Sequence, residues 1–140
     1  MRKGIYALLA ASMAMALYAP ALPAAAAPQP TRPQTVRPMD PDGLLWAYSD
    51  ANFSGRSCSW GGDSAGWSSC GFNDVASSVR NNGYTGQYDA VRFFKDGNYS
   101  GPSMCLSRGD SWSNLANQRW SDGSNANDSI SSHFWTHLCS

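Results

Sequence analysis

The chain is 140 residues long and carries ten Lys and Arg against ten acidic residues, so it has no net charge at neutral pH. That length leaves room for one domain of ordinary size but not for two large ones, and the balanced charge lacks the basic excess that a nucleic-acid surface requires. All ten acids are Asp and none is Glu; Glu and Lys suit helix surfaces whereas Asp, Asn, Gly and Ser suit turns, so the composition points to an all-β fold rich in loops.

Arg2 and Lys3 precede the apolar run YALLAASMAMALYA, followed by Pro20, Pro23 and the small-residue stretch AAAA. This is the layout of a secretory signal peptide over residues 1–26, cleaved after Ala26, which predicts a secreted, extracellular protein. A membrane anchor fits less well, because the run is short for a bilayer and broken by proline, so no stable membrane association is expected. Residues 27–42, APQPTRPQTVRPMDPD, hold five prolines without apolar periodicity and read as an extended linker. The folded domain is expected over 43–140, where six Lys and Arg meet eight Asp, a net charge of −2.

Strand-like LLWAY opens the domain and leads into YSDANFSG, where Tyr48, Phe53 and Gly55 form an aromatic-x-x-x-x-aromatic-x-Gly pattern. Such a pattern suits a tightly folded hairpin, in which one ring covers the turn and the glycine takes a geometry closed to other residues. Next comes FNDVASSVRNN, whose Asn73, Asp74, Ser77 and Ser78 spell N-D-x-x-S-S. These are poor strand formers, and their oxygens must be hydrated or bound. The same series then recurs. YDAVRFF leads into FKDGNYSG with Phe94, Tyr99 and Gly101, and NANDSISSHFW supplies Asn127, Asp128, Ser131 and Ser132. The hairpin copies lie 46 residues apart and the hexapeptide copies 54 apart, so the domain reads as a tandem duplication with eight extra residues in its second half. Motif one covers about 44–83 and motif two about 88–136. With about four short strands each, neither half can cover its own apolar face, and the two are expected to pack together. Trp46, Trp60, Trp67, Trp112, Trp120 and Trp135 offer large areas for that packing, with a sugar-binding ring platform as the rival use.

Cys58, Cys70, Cys105 and Cys139 all fall in the exported part. An even count in an oxidising compartment predicts two disulfides, for which three connectivities exist. Short loops close most easily, which favours Cys58 with Cys70 and Cys105 with Cys139. A zinc site is the rival, but the sequence has no C-x-x-C pair.

Together these residues resemble the βγ-crystallin superfamily, whose Greek-key motifs carry the aromatic-x-x-x-x-aromatic-x-Gly hairpin and, in microbial members, the calcium signature N/D-N/D-x-x-S/T-S. The resemblance spans about Leu44 to Trp135 and implies two Greek-key motifs packed as a β-sandwich. ANFSGRS followed by FNDVASSVRNN is also similar to secreted bacterial metalloproteinase inhibitors, a peptidase-inhibitor family, although the cysteine-bearing lead common there is absent from PDGLLWAY.

The resemblance implies two calcium sites. Their ligands would be the side chains of Asn73 and Asn127, the backbone carbonyls of Asp74 and Asp128, and the hydroxyls of Ser77 and Ser131. A hairpin carbonyl near Ser49 or Lys95 would complete each site from the opposite half. Ser78 and Ser132 would hold the folded hairpins. Oxygen donors suit a hard cation, while Asn at the first position and the nearby Lys95 charge predict micromolar or looser binding. Without an ion, the same residues would make Asx-turns and caps.

DANFSG and DGNYSG imitate the start of an EF-hand loop, but its twelfth position falls on Gly61 or Ser107 instead of Glu. His133 and His137 lack the glutamate of a zinc-protease motif and are read as surface or packing residues. Asp89 and Asp96 could act as an acid–base pair only at a separation that sequence does not fix. No phosphate loop or dinucleotide fingerprint occurs. The expectation is a secreted, monomeric, non-enzymatic protein that inhibits an extracellular metallopeptidase through Gly61 to Ser69 or Gly109 to Asn125, exposed loops on a stiff frame. The alternatives are a calcium-stabilised structural or stress module and a toxin-like or wall-binding protein.

Overall fold

The computed structural model describes residues 40–139; the expected signal peptide and all but the last three residues of the expected linker lie outside them. Seven strands form, β1 Leu44–Asp50, β2 Ser54–Trp60, β3 Ser78–Asn82, β4 Ala90–Asp96, β5 Ser100–Leu106, β6 Ser111–Trp112 and β7 Ser132–Thr136. They make two antiparallel sheets in the orders β2-β1-β3-β6 and β5-β4-β7.

The short strand β6 belongs to motif two by sequence but pairs with β3 of motif one, Val79 opposite Trp112. The reverse exchange is reduced to one bridge, Ser64 of motif one opposite His133 on β7. Four strands per half were expected, but Gly61, Gly62 and Gly66 flank Ser64, and glycine weakens a strand by leaving no side chain to pack. The exchange gives the two halves a shared core. Leu45, Ala47, Val79, Val91 and Phe93 face inward, and Trp67 and Leu115 enter from corresponding 3₁₀ turns, all of them inaccessible to solvent.

The tryptophans divide between core and surface. Trp67 and Trp120 are buried, while Trp60, Trp112 and Trp135 pack against the core partly covered. Trp46 does not join them. Strand alternation turns Leu45 and Ala47 inward and Trp46 outward, where its ring stacks with Tyr48 and its Nε1 donates to Asp42 at 2.8 Å.

Both hairpins fold back at left-handed residues, Asn52, Phe53 and Gly55 in the first and Asn98, Tyr99 and Gly101 in the second. Non-glycine residues reach that region at a cost of roughly 1–2 kcal/mol each, so something must hold them. Part of the hold is aromatic, since Phe53 meets Tyr48 edge to face at 5.8 Å and Tyr99 meets Phe94 at 6.2 Å. Gly55 and Gly101 have φ of +77°, and a side-chain carbon at either would collide with Asp50 or Asp96. Disulfides join Cys58 to Cys70 and Cys105 to Cys139.

Candidate functional site

The two N-D-x-x-S-S segments lead into the equivalent strands β3 and β7 and meet each other. Asp74 and Asp128 both take left-handed backbone, φ 56° and 50°. In that conformation the N–H of Asp74 donates to the Ile130 carbonyl at 3.1 Å, and the N–H of Asp128 donates to the Ala76 carbonyl at 3.0 Å. Each hexapeptide is therefore bonded to the other by main chain.

Side chains repeat the exchange. Ser77 Oγ donates to Asp128 Oδ1 at 2.9 Å, and Ser131 Oγ donates to Asp74 Oδ1 at 3.2 Å. The neighbouring amides close the groups, with Asn127 Nδ2 donating to Asp128 at 2.8 Å and Asn73 Nδ2 donating to Asp74 at 3.0 Å. Each serine thus stands with the aspartate of the opposite half and not with its own. Sequence spacing had no means of showing this, because the partners lie 51 and 57 residues apart.

The hairpin residues fall beside these groups. Ser77 N donates to the Tyr48 carbonyl at 2.9 Å and Ser131 N to the Phe94 carbonyl at 3.1 Å, which brings the Ser49 segment alongside Ser77 and the Lys95 segment alongside Ser131. Ser49 Oγ accepts from the N–H of Arg56 at 2.9 Å. The Lys95 ammonium donates to Ser124 Oγ at 3.1 Å, in the inserted segment of motif two.

Ser78 and Ser132 serve the hairpins. Ser78 Oγ donates to the Asp50 carbonyl at 2.7 Å and accepts from Phe53 N at 3.0 Å; Ser132 Oγ donates to the Asp96 carbonyl at 2.6 Å and accepts from Tyr99 N at 3.1 Å. Each hydroxyl ties the two ends of a left-handed turn, at a position without access to solvent.

Each cluster therefore offers one carboxylate, one amide oxygen, one hydroxyl and nearby main-chain carbonyls; the carboxylates are exposed, Ser77 is half-covered and Ser131 is buried. Among the described residues no three His, Cys, Asp or Glu side chains gather at a point, so a site built on thiolate or imidazole is not offered. An all-oxygen set with a single formal charge fits calcium chemistry, at the weak end of its range.

Of the two roles expected for His133, surface or packing, it takes the second, being fully buried. Its Nδ1 accepts from Trp67 Nε1 at 2.8 Å and its Nε2 faces the Gly62 carbonyl at 3.0 Å, so the proton sits on Nε2. Burial lowers its pKa to about 4, against smaller raising effects from Gly62 and Asp63. The ring stands on β7 where Val79 stands on β3, as a polar core member.

The two loops expected to meet a partner are both pinned. Gly61 to Ser69 is closed by Cys58–Cys70 and bonded to the other half through Ser64 with His133 and Trp67 N with Ser131 O, leaving Ser68 and Ser69 exposed. In Gly109 to Asn125, Trp67 and Leu115 correspond at 48 residues but Asn73 and Asn127 at 54, so most of the extra chain falls between Leu115 and Asn127. That insertion is anchored by buried Trp120, whose Nε1 donates to Ser129 Oγ at 2.9 Å. The Ser124 hydroxyl and N–H lower the pKa of Asp122 at its tip.

Residues 41–106, from the first hairpin through β5, match the sequence profile of peptidase inhibitor family I36. A solved structure described under the evolution of the eye lens βγ-crystallin domain fold is 28% identical over 69% of this chain and 87% of its own, with a TM-score of 0.56. Spherulin 3A from Physarum polycephalum is 27% identical over 72% of this chain and 89% of its own, with a TM-score of 0.51. A βγ-crystallin from Ciona intestinalis shares the fold at 22% identity, covering 67% of this chain and all of its own, with a TM-score of 0.53. No curated protein matches. The chain is thus a βγ-crystallin-like protein close to peptidase inhibitor family I36, with a two-motif Greek-key sandwich. The match to that inhibitor family and the shared fold support a non-enzyme. The two disulfides and the likeness to inhibitors are consistent with an extracellular protein.

Proposed function

We propose that this chain is a secreted inhibitor of an extracellular metallopeptidase, with calcium in its two crosswise oxygen clusters stiffening the frame. The observation that carries the reading is the match of residues 41–106 to the inhibitor family, because that stretch contains the loop closed by Cys58–Cys70. Ser68 and Ser69 project from it while Trp67 is rooted in the core. A loop held in one shape loses little conformational freedom on docking, which is how rigid inhibitors gain affinity over flexible substrates. The Asn73–Asp74–Ser131 and Asn127–Asp128–Ser77 groups would hold calcium together with carbonyls near Lys95 and Ser49, joining the halves.

The test is a titration of the exported chain against a thermolysin-type zinc peptidase, followed by cleavage of a small chromogenic peptide. Cleavage slowing at micromolar protein is the expected result. Unchanged cleavage by this enzyme class, with a calcium response intact, would leave the calcium-stabilised structural module as the better account.

A further inference from the structure

Away from the hexapeptide loops, a concavity of about 600 Å3 is lined from four places in the chain: Gly43 before β1, Gly62 and Asp63 after β2, Tyr84, Gln87 and Tyr88 in the connection between the halves, and Trp135 on β7. A cavity of that size lies in the range of small-ligand sites, about 300–1,000 Å3.

Two of its rings are seated on bare backbone. A side-chain carbon added at Gly43 would fall on the Tyr84 ring, and one added at Gly83 would come within 2.6 Å of Trp135 Cζ3. Yet Tyr84 is 64% exposed, and so is Tyr88 at 63%. Glycine thus supports one side of the Tyr84 ring and leaves the rest of it to solvent. Such supported rings do not need to be ordered when a flat ligand stacks on them.

The polar complement is an acceptor. Asp63 is the single charged side chain among the described residues lining the cavity, and its Oδ1 accepts from the Trp135 main-chain N–H at 2.8 Å, which fixes the carboxylate at the rim. Trp135 Nε1 is buried without an acceptor among the described residues.

We propose that this groove binds a neutral oligosaccharide. Pyranose rings present a flat C–H face to aromatic platforms and hydroxyls around their edge, which can donate to Asp63 and exchange hydrogen bonds with Gln87. An anionic sugar or phosphate would meet the Asp63 charge with no cation in the lining to offset it. A proline-rich peptide would stack equally well, but its ring nitrogens carry no N–H for a fixed carboxylate to accept from.

The exported chain is titrated with cellotetraose, laminaritetraose and chitotetraose by tryptophan fluorescence and calorimetry, with decaproline as the competing probe. At least one saccharide binds below about 10 mM, and Tyr84→Ala and Asp63→Asn each weaken it about tenfold at unchanged melting temperature. Absence of binding by all three sugars, affinity indifferent to Tyr84→Ala and Tyr88→Ala, or preference for decaproline would overturn the proposal. So would loss of peptidase inhibition in Tyr84→Ala, which would assign the groove to the peptidase contact instead.

Discussion

Ser77 donates its hydroxyl hydrogen to Asp128 across the junction of the two halves, 2.9 Å away and 51 residues distant in the chain. Ser131 and Asp74 mirror it at 3.2 Å. The duplicated hexapeptide is therefore a reciprocal clasp, in which each copy offers a hydroxyl to the other's carboxylate. If these groups hold calcium, Ser77→Ala should weaken one of two sites and Ser131→Ala the other. Losing one neutral ligand predicts roughly a fivefold to tenfold loss at the affected site. Calorimetry on the two single variants checks this, and equal loss at both sites in either variant would contradict separate clusters.

Gly55→Ala and Gly101→Ala should destabilise the domain, because each puts a side-chain carbon into Asp50 or Asp96 at φ +77°. Ser78→Ala leaves Phe53 N and the Asp50 carbonyl without their hydroxyl partner. The expected loss is about 1–3 kcal/mol in all, because the two groups left unpaired are only partly buried. Urea unfolding measures it, and a variant as stable as the parent would show that the aromatic pair alone holds the turn.

His133 gives the domain an acid-sensitive core. Its folded pKa of about 4 lies below the ordinary 6.5, so the unfolded chain binds the proton more readily. Stability from this group is complete above pH 6.5 and is lost as pH falls toward 4, by about 3 kcal/mol in all. His133→Leu should flatten that part of the stability profile while lowering its plateau, since Trp67 Nε1 and the Gly62 carbonyl lose their partner. An unaltered pH slope in the variant would place the acid sensitivity elsewhere.

Cys58 and Cys70 are 12 residues apart and Cys105 and Cys139 are 34 apart. On the chain-entropy account, removing them costs about 3 and about 4 kcal/mol respectively. The proposed function separates the two further. Replacing Cys58 and Cys70 by Ser should weaken peptidase inhibition even at temperatures where the protein stays folded, whereas replacing Cys105 and Cys139 should lower the melting point with inhibition kept. Equal inhibition by both double variants would remove the first loop from the contact.

Local features of this fold were legible in the sequence because they are written in adjacent residues. Tyr48, Phe53 and Gly55 announce a folded turn through their own geometry, and repetition at Phe94, Tyr99 and Gly101 marks the duplication. Non-local features were not. Nothing near Ser77 names Asp128, and although the glycines around Ser64 speak against a full strand there, nothing near them names His133 as the partner of the remaining bridge. Trp46 looked like the other tryptophans until strand register turned it outward. The groove beside Trp135 was equally hidden, since Asp63 and Trp135 meet only after the halves pack.

The most direct measurement is a calorimetric calcium titration of the exported chain, paired with its melting temperature in calcium and in chelator. Two equivalents bound at micromolar or weaker affinity, with a melting point raised by calcium, is what the reciprocal clasp predicts. Absence of binding heat together with a melting point identical in both buffers would contradict it.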